Sequence, residues 1–323
     1  MKIIPPAGFP YTWCSNSGED KFGFWLEFTL KRITRRMRWI RQGHFSMGSP
    51  YDELHRHHYE TRYEVTLSKG FWITDTACTQ ELWNSIMEKN PGTDFNQKEP
   101  VVNVSWDDCD SFLKKMNGLL ENVVFSLPTE AQWEYACRAG TTDPFSFGMN
   151  ISPEQVNYNG NYPYLGDTKG LNRGKTVAVK SLPANQWGLY KMHGNVWEWC
   201  KDWYGDYNTE SVTDPAGPAN RKYRVLRGGS AFSGAADCRS AARSRCHSDG
   251  RYKRNGFRFV WNPLPPENTE KQLEEEKAID DDKSKEKDKG KEEYVIIPEK
   301  EELVARDITM PKDKMKKIRK GRM

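Results

Sequence analysis

Sustained periodicity is scarce in this chain, and that scarcity constrains its fold more than any other feature. Residues 156–174 and similar stretches are rich in Gly, Asn, Pro, Tyr and Trp. They repeat at neither the strand nor the helix period, so a helical bundle or a plain sandwich cannot account for them. A chain dominated by ordered loops must still satisfy its backbone groups. Aromatic rings with N–H or O–H handles, side-chain amides and bound ions are the usual means. Three short segments do carry helical spacing: 79–88 (TQELWNSIME), 105–117 (SWDDCDSFLKKMN) and 129–139 (TEAQWEYACRA). Each opens on an N-capping hydroxyl. In the third, Pro128 blocks helix before Thr129, and Thr129 with Gln132 has capping-box spacing. Strands are expected over 22–29, 37–47, 64–67, 70–73, 223–227 and 256–261.

Composition divides the chain. From Glu267 to Met323, 33 of 57 residues are charged, whereas all 12 tryptophans lie before that point. The expected organisation is an N-terminal extension with a partly packed strand over 1–36, one domain over 37–262, and a charged, mostly disordered tail over 263–323. The net charge of +4 is small for 323 residues and does not indicate nucleic acid, apart from a basic end from Lys312 onward. No window approaches a membrane span. Pro5 and Pro6 interrupt the place where a signal peptide's apolar run would lie. The seven cysteines are odd in number and include no CxxC pair, which points to core thiols and a cytoplasmic setting.

Four phrases occur in order: HFSMGSP (44–50), PVVNVSWDDCDSFL (100–113), LPTEAQWEYACRAGT (127–141) and NQWGLYKMHGNVWEWCKDWY (185–204). They are followed by YRVLRGGS (223–230) and NGFRFV (255–260). Together they resemble the sulfatase-modifying-factor family, whose namesake is the formylglycine-generating enzyme, over roughly residues 36–262. The likeness is close to the family's branch of retroelement variable proteins. It implies a loop-rich α+β fold of C-type-lectin-like kind, with calcium in many members.

The family enzyme oxidises a sulfatase cysteine to formylglycine with oxygen and a copper held by two thiolates. Carried onto this chain from the GGS turn, the two positions fall on Ser233 and Cys238. A soft ion needs soft ligands, so copper is not expected, nor is its binding by Cys238 together with Cys246, from which seven residues separate it. A divergent oxidase would have to use Cys238 as surviving ligand or nucleophile. The family's calcium positions at the GNVWEW turn correspond to Gly194, Val196, Glu198 and Lys191. An ammonium at one of them opposes a cation. Either calcium is retained by Gly194, Val196 and Glu198, or Lys191 stands in for it by pairing with Glu198 while Asn195 ties the turn. Among the histidines, His193 is expected to make a structural hydrogen bond, and His55, His57 and His58 to lie on a surface loop.

The same resemblance gives residues 231–254 a second meaning. In retroelement variable proteins this stretch is diversified through codons that cannot encode Lys, Glu, Gln, Met or Trp. Those types form about a fifth of residues 1–262, yet only Lys253 occurs in these 24 positions. Phe232, Ser233, Asp237, Arg245, His247, Asp249 and Tyr252 make a mixed set suited to recognition, with aromatic and Arg anchors among small polar residues. The expected function is a non-oxidising module that binds a protein or small ligand through 231–254.

Overall fold

Alternating apolar side chains set the first sheet. In the computed structural model, which describes residues 5–92, 95–166, 168–207 and 210–263, β1 (Asn16–Asp20), β2 (Gly23–Leu30) and β3 (Ile33–Ile40) form an antiparallel meander. Phe24, Leu26, Phe28 and Leu30 of β2 are all buried, as the two-residue period of a strand requires. After β4 (Gly43–Met47) and β5 (Tyr63–Leu67), β6 (Phe71–Thr74) returns beside β3. Then come α1 (Gln80–Met87), α2 (Trp106–Asn117), the short β7 (Phe125–Ser126) and α3 (Glu130–Arg138). The remaining strands are β8 (Trp197–Trp203), β9 (Val212–Thr213), β10 (Arg224–Arg227), β11 (Arg243–Cys246), β12 (Asn255–Gly256) and β13 (Val260–Trp261).

These strands form a six-stranded sheet ordered β1-β2-β3-β6-β13-β7, a four-stranded sheet ordered β11-β10-β8-β12, and a three-stranded sheet ordered β4-β5-β9. With three short helices and long loops, the fold is α+β and loop-rich. Thr79, Ser105 and Thr129 cap the helices as their sequences require, the latter two with complete capping boxes.

Two expected strands divide. The segment 37–47 turns at Arg41 and Gln42, which places β3 and β4 in different sheets. The segment 256–261 splits because the carbonyls of Phe257 and Phe259 accept from Cys78 and Thr74 N–H, where the chain leaves β6. The expected division at residue 37 falls inside β3. Aromatic residues before it join the main core, with Tyr11 4.6 Å and Trp13 4.8 Å from the Trp261 ring. Residues 264–323, which hold almost all of the charged segment, lie outside the described residues.

Candidate functional site

The base of the site is a set of buried ion pairs. Glu130 and Glu134 lie one turn apart on α3 and both are buried. Facing them, Arg227 of β10 and Arg243 of β11 are direct cross-strand partners, a like-charge pairing that is unfavourable alone. The carboxylates make it tenable. Arg243 donates to Glu130 at 2.6 and 2.8 Å, while Arg227 donates to Glu134 and to the carbonyls of Ser240, Ala241 and Ala242. Burial pushes the Glu130 carboxyl up, but Arg243 and Arg227 outweigh it and hold the group below its ordinary value. Arg239 spans Glu60 and Glu53, and Arg258 grips Glu198 at 2.6 and 2.8 Å. None of these pairings was anticipated from sequence; the Glu130/Glu134 spacing inside an aromatic-rich helix was the available signal.

Residues 231–254 rest on this base. The GGS turn holds Gly228 and Gly229 at φ of 97° and 74°, and a Cβ on Gly229 would come within 2.6 Å of Cys238 Sγ. Beyond it, Phe232, Asp237, Arg245, His247, Asp249 and Tyr252 are exposed. Ser233 is half-buried, and its hydroxyl is taken up by Ser230 within the turn. Strand period puts Arg243 and Arg245 on one face of β11, both against the Tyr204 ring, and along that face exposure rises from the buried Arg243 to the exposed Arg245 and, beyond the strand, His247. The exposed set forms two groups. Lys253 lies over the Phe232 ring at 5.0 Å and Arg254 over Tyr252 at 5.7 Å. Arg245 and His247 gather instead around Tyr223, at 5.5 and 4.5 Å.

Cys238 lies in the interior of the domain. Its side chain is fully buried, and burial pushes the thiol well above its ordinary value. Its carbonyl accepts from His193 Nδ1 at 2.7 Å, while the Ser146 N–H donates to His193 Nε2 at 3.1 Å. A carbonyl only accepts and an N–H only donates, so the network assigns the neutral Nδ1–H tautomer. Burial accordingly lowers the His193 pKa to about 4. Cys246 belongs to the edge of another core cluster, away from Cys238. A copper held by two thiolates does not fit these residues, because the Ser233 position offers a hydroxyl where the soft ion needs a second sulfur.

The GNVWEW turn corrects one expectation. Lys191 does not pair with Glu198. Both Glu198 oxygens accept from Arg258, and Oε2 also accepts from Trp133 Nε1 at 2.7 Å. Lys191 Nζ is buried without a hydrogen-bond partner among the described residues, and burial, with the nearby Arg173 charge, lowers its pKa to about 7. The Gly194 carbonyl accepts from Val196 N–H. Calcium therefore does not fit the expected set, because its carboxylate is committed and an amine occupies the fourth position. Asn195 ties the turn as expected, accepting from Asn157 Nδ2 and Val177 N–H at 2.9 Å each.

Beside β11 opens a cleft of about 680 Å³ whose wall includes Asp202, Tyr204, Tyr207, Arg221, Arg243 and Arg245. Asp202 accepts from the Glu130 N–H at 2.9 Å. Burial, reinforced by the Glu130 charge, raises its carboxyl to about 7. Sequence reasoning did not single out this cleft.

The family description "Sulfatase-modifying factor enzyme 1-like domain" matches residues 27–263. The chain belongs to this family. The sulfatase-modifying-factor domain here is 35% identical over 175 residues to the formylglycine-generating enzyme of Bos taurus, covering 51% of this chain and 45% of that protein. It is 38% identical over 169 residues to the enzyme of the same name from Streptomyces coelicolor, covering 49% of this chain and 51% of that one. The chain thus spans about half the length of these relatives. Among solved structures, Treponema denticola variable protein 1 matches with a TM-score of 0.64 and 27% identity, over 74% of this chain and 99% of that one. PvdO from Pseudomonas aeruginosa matches with a TM-score of 0.62 and 22% identity, over 77% of this chain and 98% of that one, a likeness of fold.

Proposed function

We propose that this chain is a non-oxidising member of the sulfatase-modifying-factor family that binds a protein or small ligand through residues 231–254. The observation that carries the reading is the division of roles along that segment. Phe232, Asp237, Arg245, His247, Asp249 and Tyr252 are exposed, while Cys238, Arg239 and Arg243 between them are buried and anchored. Exposed aromatic and Arg side chains on a rigid base are what a recognition surface requires. The hydroxyl at Ser233, in place of a second thiol, supports the reading without copper chemistry. The seven unpaired thiols support a cytoplasmic setting. No helix among the described residues is long and apolar enough to cross a membrane.

Two measurements test the reading. Incubated with copper and a sulfatase-type cysteine peptide, the purified protein is expected to leave the peptide mass unchanged. Loss of two hydrogens with replacement of sulfur by oxygen, abolished by Cys238→Ala, would establish a divergent oxidase instead. In a pull-down from the native lysate, a folded Phe232→Ala, Tyr252→Ala variant is expected to lose the partner that the unaltered chain retains. If it keeps every partner, binding lies elsewhere.

A further inference from the structure

A continuous run of ring and cation contacts crosses the surface beside β11. His57 stacks on Tyr59 at 5.0 Å between ring centroids, and Tyr59 meets Tyr204 at 6.4 Å. The Arg245 guanidinium lies 4.8 Å from the Tyr204 ring and 5.5 Å from the Tyr223 ring, and His247 meets Tyr223 at 4.5 Å. Lys222 lies 5.2 Å from the Tyr223 ring. His57, Lys222, Arg245 and His247 are exposed, and the three tyrosines are half-buried beneath them. The run opens onto the 680 Å³ cleft, which shares Tyr204 and Arg245 with it and adds Arg221.

Charge along this surface is one-sided. Residues 221–254 hold ten Lys or Arg and two Asp or Glu. Arg227, Arg239 and Arg243 are neutralised in the buried pairs, and Arg251 is held by Asp108 of α2. Arg221, Lys222, Arg245, Lys253 and Arg254, all exposed, make no ion pair with a described carboxylate. Of the four acids on the cleft wall, Glu130 is paired with Arg243 and Asp202 accepts from the Glu130 N–H, which leaves Asp206 and Asp214, the latter hydrogen-bonded to Ser68, against Arg221 and Arg245. Asp237 lies within electrostatic reach of His57, Arg239 and Arg254.

We propose that the stripe from His57 through Tyr59, Tyr204, Arg245 and Tyr223 to His247 is a docking track for an acidic peptide segment of a partner protein. The inference rests on the reading of residues 231–254 as a binding face and names the chemistry that face would select. Charge complementarity favours an anionic partner. A guanidinium held against a ring is pre-ordered and turns its N–H edge outward, in the fork that a carboxylate accepts. Single-stranded nucleic acid needs open ring faces on which bases stack, and Tyr204 and Tyr223 already carry this chain's own cations.

Fluorescence anisotropy on the full chain tests this with labelled octaglutamate and, as a second probe, labelled oligo(dT). Octaglutamate is expected to bind, and to bind less tightly as salt rises. Arg245→Gln and Lys222→Gln are each expected to weaken it, Arg245→Gln by about tenfold, the equivalent of one lost charge-assisted hydrogen bond. Lys21→Gln, at the exposed β1–β2 turn, should leave it unchanged. If Arg245→Gln fails to fold by circular dichroism, Lys222→Gln decides alone. Unaltered affinity in the folded variants overturns the inference, as does tighter binding of oligo(dT) with the same sensitivity. Absence of octaglutamate binding overturns it too. In that event, loss of the native partner by the Phe232→Ala, Tyr252→Ala variant leaves the binding face standing, and retention of every partner removes both readings.

Discussion

Asp202 is a carboxylate whose position works against stability at neutral pH. Burial, with Glu130 nearby, raises it to about 7 from an ordinary 3.8. The folded state therefore holds this proton more tightly than the unfolded one. Its favourable contribution is complete below pH 3.8 and is lost as pH rises towards 7. Asp202→Asn keeps an acceptor for the Glu130 N–H and removes the charge. It is expected to raise the thermal midpoint at pH 8, by an equivalent of up to about 4 kcal/mol, with the gain shrinking towards pH 4. Coincident melts at pH 8 would contradict this. His193 has the opposite dependence: depressed to about 4, it favours the fold above its ordinary 6.5, and that contribution fades as pH falls through 4. Gly229→Ala confronts both a φ of 74° and the Cys238 sulfur. A loss of roughly 1–3 kcal/mol in chemical denaturation is expected.

Helix α3 is the bracket that ties the four-stranded sheet to the rest of the domain. Arg243→Met would leave Glu130 buried beside a weaker remaining partner, and a loss of about 3–5 kcal/mol is expected. Changing both, with Glu130→Leu added, should cost less than the two single losses combined, as urea denaturation in a double-mutant cycle would read. Additive losses would mean the pair is not coupled. The helices were legible in the sequence because caps and periodicity are local, and α1, α2 and α3 begin where their hydroxyls place them. β8 was not legible. WEWCKDW lies between β10 and β12 and is buried on both faces over most of its length, so no alternation marks it. The ion pairs were equally hidden, since Arg243 and Glu130 are separated by 113 residues. Composition does not say which Arg meets which Glu.

At the scale of the whole molecule, the aromatic strings carried the family and the general fold, while the fine assignments depended on partners that no string contains. Lys191 and Glu198 illustrate this: the family's calcium positions suggested a pair, but Arg258 arrives from 60 residues away and takes the carboxylate. Phe232 and Tyr252 lie outside every buried cluster. Each alanine substitution there should shift stability by no more than about 0.5 kcal/mol in thermal melts. The alternation of anchored and exposed side chains along 231–254 has a consequence for protein engineering. A combinatorial library that randomises Phe232, Asp237, Arg245, His247, Asp249 and Tyr252 leaves every buried Arg–Glu pair untouched. Most of its members should remain soluble and monodisperse on expression. A library of equal size that also varies Arg239 and Arg243 should yield mostly aggregate, so the ratio of soluble clones between the two measures how far the scaffold separates folding from recognition.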